Sequence, residues 1–169
     1  GSRNENGTES RKNIIFRLRN KKRQPDKMVN GVSDHPDRGQ MGEWLDDQSL
    51  SPDLVISSPA TRALTTAEIV SLAMGITVDS IETDKSIYEA SLSDLQHVLS
   101  QIPDSVHRLL MVGHNPGFEY LVHSLAPNIP TATNGNLMPT ATLAYFQLDS
   151  QWSTVIGDSW IQRPKDLPS

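Results

Sequence analysis

The sequence predicts an α/β fold, a three-layer α/β/α sandwich with a mostly parallel central sheet. Three short apolar runs, at residues 14–16, 53–57 and 109–113, are typical of strands buried on both faces of a parallel sheet. Segments with helical periodicity follow these runs. Strands that alternate with helices make right-handed crossovers, so the helices are expected to cover both faces of the sheet.

The best-defined helix follows the second strand. Apolar residues recur at a spacing of about 3.6 over residues 63–74. Ser58 and Pro59 place a capping hydroxyl before a proline at the first helical position. Gly75 is placed to end the helix in a left-handed cap.

Three other segments before the third strand are shorter. Residues 41–45 carry an apolar helical face that is expected in the core, but the helix looks short for a crossover. Residues 78–81 predict a short strand. Ser91 and Asp94 have the spacing of a capping box, which predicts an amphipathic helix from this point.

After the third strand the sequence predicts one more helix and a closing pair of strands. The helix is expected over residues 116–125. The strands are expected over residues 141–148 and 152–156, around a turn at residues 149–151. These elements complete the sandwich.

The length of 169 residues suits one domain with a buried core, expected over residues 13–169. Residues 1–12 contain no large apolar side chain and predict a disordered tail or tag. The longest apolar run is about half of the roughly 18 to 20 residues that span a bilayer, and no secretory leader is recognisable. We expect a monomeric cytoplasmic protein that binds no membrane, with an organelle of a eukaryotic cell as the open alternative.

Charge and cysteine content exclude several classes of function. The chain has 15 Lys and Arg residues and 20 Asp and Glu residues, and its net charge of -5 offers no chain-wide basic field for a nucleic acid. The absence of Cys excludes disulfides, thiolate metal sites and a cysteine nucleophile. We predict no cofactor and no metal site, so catalysis must come from His, carboxylate, hydroxyl or basic side chains.

Polar residues follow each of the three predicted core strands, at the edge where ligands collect in open parallel sheets. Arg17 follows the first strand, Arg62 lies in the segment SSPATR after the second, and His114 lies in the segment GHNPG after the third. Helix N-termini at this edge add N–H groups that attract anions. Two arginines and a histidine on one rim predict a pocket for a phosphoryl group.

Six motifs resemble the histidine phosphatase superfamily and, within it, the small SixA-type phosphohistidine phosphatases. The motifs are MGEWL at 41–45, SSPATRALTTA at 57–67, IYEAS at 87–91, GHNPG at 113–117, PTATLA at 139–144 and RPKDL at 163–167. The similarity runs from about residue 13 to residue 167. It implies the phosphoglycerate mutase-like form of the predicted sandwich.

The resemblance also implies a role for each rim residue. In the superfamily an Arg-His-Gly motif follows the first strand; its histidine attacks phosphorus and its arginine, matched by Arg17, binds the phosphate. Arg62 and His114 match the second arginine and second histidine of the phosphate clamp, which stabilise the spreading negative charge. Glu89 lies near the position of a carboxylate that protonates an ester leaving group in many relatives.

The chain departs from the resemblance at the nucleophile. Leu18 stands where the superfamily has histidine, and Arg19 stands where it has glycine. Leucine has no lone pair, so the covalent route through this position is absent. His35 lies in a basic loop that could approach the site, but its neighbours resemble a downstream segment of the family.

A second departure concerns the crossover between the first two strands. Family members carry about one or two extra helical turns between an Asp-Arg pair, here at 37–38, and the MGEWL segment, whereas residues 39–40 alone separate them here. Two explanations are open. Either the printed chain omits residues within 17–41, or the protein is a pseudoenzyme that has lost its nucleophile.

The resemblance implies a metal-independent phosphatase that removes phosphoryl groups from phosphohistidine in a partner protein, through a phosphohistidine enzyme intermediate. Imidazole is a good leaving group, so strong acid catalysis by Glu89 is less necessary than for an ester. Two alternatives stay open. A phosphomonoesterase for a small phosphorylated substrate would need a dependable proton donor, and Leu18 favours an inactive module that binds phosphate or phosphohistidine.

Overall fold

The computed structural model describes residues 12–19, 36–128 and 143–162, with side chains from residue 40 onward. Within these ranges the elements are, in chain order, β1 Lys12–Arg19, α1 Pro36–Asp47, β2 Leu54–Ser57, α2 Thr61–Ala73, β3 Glu82–Thr83, α3 Leu92–Ser100, β4 Arg108–His114, α4 Gly117–Leu125, β5 Leu143–Leu148 and β6 Val155–Gln162. Short 3-10 helices at Val78–Ser80 and Lys85–Ile87 flank β3. The predicted alternation of strands and helices is confirmed.

The six strands lie in one sheet in the order β3-β2-β4-β1-β5-β6. Parallel pairing joins β3 to β2, β2 to β4, and β4 to β1. Strand β5 is antiparallel to both of its neighbours, β1 and β6, so it alone runs against the other described strands. The prediction of a mostly parallel sheet is confirmed.

Helices cover both faces of the sheet, and each face has its own apolar cluster. One cluster joins α3 and α4 to the sheet and includes Leu99, Met111 and Phe118. The other joins α1 and α2 to the opposite face and includes Met41 and Val112. Residues of β4 alternate between the clusters because successive strand side chains point to opposite faces. This arrangement is the predicted α/β/α sandwich.

Helix α1 is longer than the sequence suggested. It has 12 residues, because residues 36–40 continue the helix on the N-terminal side of the predicted apolar face. Met41 and Leu45 are fully buried, as predicted. Trp44 is half-buried and makes an edge contact with Trp160, with ring centroids 5.4 Å apart. The prediction that this helix is too short for a crossover is wrong.

Two of the three predicted helix caps form. Gly75 has a φ of 77° beyond the end of α2, and the N–H of Ile76 donates to the Ser71 carbonyl at 2.9 Å. At the start of α3, the Ser91 hydroxyl accepts the Asp94 N–H at 3.1 Å and the Asp94 carboxylate accepts the Ser91 N–H at 3.0 Å. Local sequence therefore determined these two helix ends.

Three elements after β2 differ from their predictions. Helix α2 begins two residues after Pro59. A 3-10 helix replaces the predicted strand at 78–81, because the N–H and the hydroxyl of Ser80 both donate to the Thr77 carbonyl. Strand β6 begins three residues later than expected, because the Asp149 carboxylate accepts three backbone N–H groups and extends the turn.

Several predictions fall on residues outside the described ranges. They concern most of the tail at residues 1–12, the basic segment with His35, residues 139–142 of PTATLA with the predicted start of the strand at 141, and the RPKDL segment at 163–167. Lys12, predicted as the last tail residue, already pairs with Leu148 as the first residue of β1. None of the helices in the described ranges has the length and apolar character needed to cross a membrane. The single domain over 13–169 stays a prediction.

Candidate functional site

Buried polar side chains gather where β2 and β4 end. Ser57 and Ser58 are fully buried, and His114 is 3% exposed. Strands β2 and β4 are parallel, with Ser57 opposite Val112, so the residues that follow meet at one edge of the sheet. Buried polar atoms are stable only with hydrogen-bond partners. The way these residues are paired therefore defines the local chemistry.

Ser58 joins the two strand ends through its hydroxyl. The distance between Ser58 Oγ and His114 Nε2 is 2.8 Å. The same oxygen accepts the N–H of Ala60 at 3.2 Å, and the Ser58 N–H donates to the Val112 carbonyl at 3.0 Å. This pairing explains the late start of α2: the hydroxyl expected to cap a helix at residue 59 forms a turn and contacts histidine instead.

Arg62 is the second residue of α2 and lies four residues after Ser58. It is half-buried, and its carbonyl accepts the hydroxyl of Thr66 at 3.1 Å. The first turn of α2 carries no acidic residue. The positive end of the helix dipole and the Arg62 guanidinium therefore both attract an anion. Arg62 is thus carried by the helix that starts at the Ser58–His114 contact. Its convergence with His114 on one phosphate stays a prediction.

Tyr88 is a neighbour of His114 that sequence reasoning missed. Its ring is perpendicular to the imidazole, with centroids 5.5 Å apart and planes at 87°. Tyr88 is 50% exposed, in contrast to the buried His114. The IYEAS motif had drawn attention to Glu89 alone, since nothing in the sequence signals a contact between residues 26 positions apart.

The glycines of GHNPG bring the segment at 87–90 against the site. A Cβ atom on Gly113 would lie 2.6 Å from the ring of Phe118 and 2.7 Å from the side chain of Ile87. A Cβ atom on Gly117 would collide with the Ala90 carbonyl oxygen. The motif therefore needs glycine at both positions for close packing. The residues between Ile87 and Ala90 are held beside His114 as a result.

Glu89 lies in this packed segment. Its side chain is exposed, and its φ of 49° is in the left-handed region that residues other than glycine rarely adopt. Such backbone conformations persist where the surrounding structure imposes them, and they concentrate at functional sites. Glu89 is therefore at the same edge of the sheet as His114, and its role as a proton donor stays a prediction.

Strand β1 reaches the same edge by its backbone. It continues two residues beyond Arg17, so Arg17 does not follow the strand as expected but pairs with Val112 within it. Leu18 is opposite Gly113, and Arg19 is opposite His114. Residue 18 is therefore one register step from His114. The phosphate-binding role of Arg17 stays a prediction.

A cavity of about 480 Å³ lies at the other edge of the sheet. Its walls come from the C-terminal parts of α3 and α4 and from the turn before β6, including Leu99, Leu125 and Trp152. Asp104 is its one charged lining residue. Because phosphoryl chemistry needs positive charge and hydrogen-bond donors, the buried polar edge at His114 is the better candidate site. Among the described side chains, no group of three His, Asp or Glu residues is placed to hold a metal ion.

Solved structures that superpose on this chain include two SixA proteins. The protein histidine phosphatase SixA, solved with tungstate, is 20% identical and matches 92% of this chain and 99% of its own, with a TM-score of 0.71. The chain has the histidine phosphatase fold. SixA of Agrobacterium tumefaciens is also 20% identical, covering 91% of this chain and 99% of that chain with a TM-score of 0.66.

The same fold extends to a phosphoglycerate mutase of Plasmodium falciparum. That enzyme is 16% identical, covers 90% of this chain and 89% of its own, and has a TM-score of 0.57. No protein-family model matches the sequence, and no curated protein matches it either. The similarity therefore lies in the arrangement of the elements, and it confirms the predicted fold and the resemblance to SixA-type structures.

Proposed function

We propose that this protein is a metal-independent phosphatase that removes phosphoryl groups from phosphohistidine in a partner protein. One observation carries the proposal: the buried His114 imidazole makes a hydrogen bond with Ser58, which lies directly before the helix that carries Arg62. The solved SixA of the same fold was obtained with tungstate, a tetrahedral oxyanion that resembles phosphate. A guanidinium, an imidazole and a helix N-terminus suit that kind of ligand.

In this proposal water attacks phosphorus as the bond to the substrate imidazole breaks, because Leu18 has no lone pair for a covalent intermediate. The products are inorganic phosphate and the unmodified histidine of the partner protein. The site works by positioning and by charge stabilisation. Arg62 binds two phosphoryl oxygens through its planar fork, and His114 donates to an oxygen of the same group. Arg17, matched to the arginine of the Arg-His-Gly motif, is the other arginine of the clamp. These groups stabilise the charge that spreads over the equatorial oxygens in the transition state. A local field of this kind acts despite the acidic chain, because only nearby charges determine capture of the anion.

The leaving group determines what is asked of Glu89. Imidazole leaves phosphorus readily, whereas an alkoxide needs a proton as the bond breaks. The exposed Glu89 is therefore dispensable for phosphohistidine and required for an ester. We propose a soluble, cytoplasmic and monomeric enzyme whose partner is a phosphorylated protein.

The experiment that tests the proposal compares two histidines near the ends of β4. Phosphate release from a phosphohistidine protein should fall on the order of 10²-fold in kcat/KM in His114→Ala, because a donor to the phosphoryl oxygens is lost. His107→Ala is the matched control, since His107 is exposed at the other end of the strand. It should stay within about twofold of the parent. Equal turnover in His114→Ala and in the parent would overturn the proposal.

A second assay separates the two enzyme classes. Glu89→Gln should keep phosphohistidine turnover within about threefold of the parent, while hydrolysis of a simple alkyl phosphate should fall at least about tenfold. An equally large loss with both substrates would favour the small-molecule phosphomonoesterase. Phosphate release measured with each substrate at saturating concentration reports the difference.

Leu18 favours one further candidate, a module that binds phosphohistidine without cleaving it. Its backbone lies opposite Gly113, next to His114, and its side chain type has no lone pair for attack on phosphorus. In that case the parent binds vanadate but releases no phosphate. A Leu18→His variant would then supply the absent lone pair, and turnover would appear in the variant alone. Turnover by the parent protein would rule out this candidate.

A further inference from the structure

Tyr88 occupies an unusual position for a large aromatic residue. Half of its surface is open to solvent, while its ring packs perpendicular to the buried imidazole of His114. An aromatic side chain that served only to fill the core would be buried, as Phe118 is on the same side of the sheet. The exposed part of Tyr88 is therefore available beside the candidate phosphate pocket.

The support under Tyr88 is rigid. Ile87, the preceding residue, is 1% exposed and packs in the core cluster of α3 and α4. The Tyr88 N–H donates to the Lys85 carbonyl at 3.1 Å, and the Asp84 carboxylate caps the 3-10 helix by accepting the Ser86 N–H at 2.8 Å. These contacts hold the backbone before the ring, and the close packing of the Ala90 carbonyl against Gly117 holds it after the ring. A fixed aromatic ring binds a planar group at a low cost in conformational entropy.

The chemistry of the proposed substrate suits this ring. When a phosphoryl group is held at His114 and Arg62, the group bonded to phosphorus must leave the pocket past its rim. In phosphohistidine that group is a planar imidazole, and aromatic rings attract each other in stacked or edge-to-face arrangements. An alkyl group, as in phosphoserine, gains much less from such a surface.

We propose that Tyr88 is a specificity-determining residue, whose exposed ring binds the imidazole of a phosphohistidine substrate and so favours an aromatic leaving group over an alkyl one. The inference rests on the proposed function, because it assumes that the phosphoryl group binds beside His114. It deepens that function by assigning discrimination between substrates to a residue outside the phosphate clamp.

The test measures binding of three probes to the whole chain by calorimetry. The probes are inorganic phosphate, a phosphoserine peptide, and a peptide of the same sequence with a stable phosphoryl-triazole in place of phosphohistidine. Tyr88→Leu keeps an apolar side chain but removes the ring, whereas Tyr88→Phe keeps the ring. The matched control is Tyr120→Leu, because Tyr120 is 55% exposed on α4. Thermal unfolding of each variant checks that the fold is intact.

The expected result is a selective loss. Tyr88→Leu should weaken binding of the triazole peptide about three- to tenfold, the range of one aromatic pair, and change phosphoserine binding less than twofold. Tyr88→Phe and Tyr120→Leu should bind the triazole peptide like the parent. Equal losses for both peptides, or none, would overturn the role of Tyr88 while leaving the phosphatase proposal standing. A parent protein that binds none of the three probes would instead overturn the proposed function.

Discussion

The polar side chains at the two ends of β4 have different kinds of hydrogen-bond partner. At the N-terminal end, the Asp53 carboxylate accepts the backbone N–H groups of His107 and Arg108 at 2.7 and 3.2 Å. The Arg108 guanidinium donates to two backbone carbonyls of the loop before β2, at 3.0 and 3.2 Å. At the C-terminal end, the imidazole of His114 makes a hydrogen bond with another side chain, the hydroxyl of Ser58.

This difference in hydrogen-bond partners distinguishes residues that stabilise the fold from residues that can act on a ligand. A charged side chain whose partners are backbone groups fixes the path of a loop and satisfies polar atoms that burial would otherwise leave unpaired. A histidine that contacts a hydroxyl keeps a partner that can either donate or accept. The N-terminal end should therefore affect the free energy of unfolding, and the C-terminal end should affect turnover and ligand binding.

The largest expected effect compares the two arginines. Arg62→Ala should lower kcat/KM for phosphohistidine by a factor on the order of 10² to 10³, because the planar clamp on the phosphoryl oxygens is lost. Arg62→Lys should not restore the rate, since a point charge cannot reproduce the fork. Arg108→Ala should leave kcat/KM within about twofold. Steady-state kinetics that show equal losses in Arg62→Ala and Arg108→Ala would remove the distinction between the two ends.

The next effect concerns stability at the N-terminal end. Asp53→Ala should lower the free energy of unfolding by about 1 to 2 kcal/mol, since two backbone N–H groups lose their acceptor at a partly solvated position. Asp53→Asn keeps an acceptor oxygen and should lose less. Urea unfolding gives the free energies, and kcat/KM corrected for folded fraction should be unchanged. A large fall in corrected kcat/KM would show that this end also serves the site.

The smallest expected effect tests what decides whether a residue serves stability or turnover: the kind of hydrogen-bond partner that it has, or its position in the fold. The Ser91–Asp94 capping box is outside the phosphate clamp, and both of its hydrogen bonds involve backbone N–H groups. Ser91→Ala should therefore cost about 1 kcal/mol of stability and leave turnover unchanged. Differential scanning calorimetry and phosphate release check the two parts. Lost turnover without lost stability would contradict this.

The same box gives a pH dependence with a defined sign. Hydrogen bonds from the Ser91 N–H and hydroxyl lower the pKa of Asp94 below its ordinary value of 3.8. A lowered pKa in the folded state means that Asp94 stabilises the fold above its unfolded-state pKa, and that this contribution is lost as the pH falls through the folded-state pKa. The melting temperatures of the parent and Asp94→Asn should differ at pH 7 and converge at acidic pH. A gap that widened on acidification would refute the linkage.

Much of the fold followed from local patterns. The sequence predicted the apolar runs of β2 and β4, the periodicity of α2, the glycine after its end and the capping box of α3. Each of these features depends only on residues that are close to one another in the chain. The boundaries that were wrong have competing local bonds: the Ser80 bonds to Thr77 made a 3-10 helix, and the Asp149 carboxylate lengthened a turn.

The candidate site also has features that local sequence predicted and features that only the tertiary structure shows. The sequence by itself determined where β2 and β4 end, to within one residue, and so named Arg62 and His114 as candidates and Leu18 as the departure from the motif. Only the tertiary structure decided that Ser58 bonds His114, 56 residues away in the chain, and that the Tyr88 ring lies against the same imidazole. Such contacts depend on strand order and on the close approach that glycine allows at Gly113. They arise from packing between elements, which no local pattern specifies.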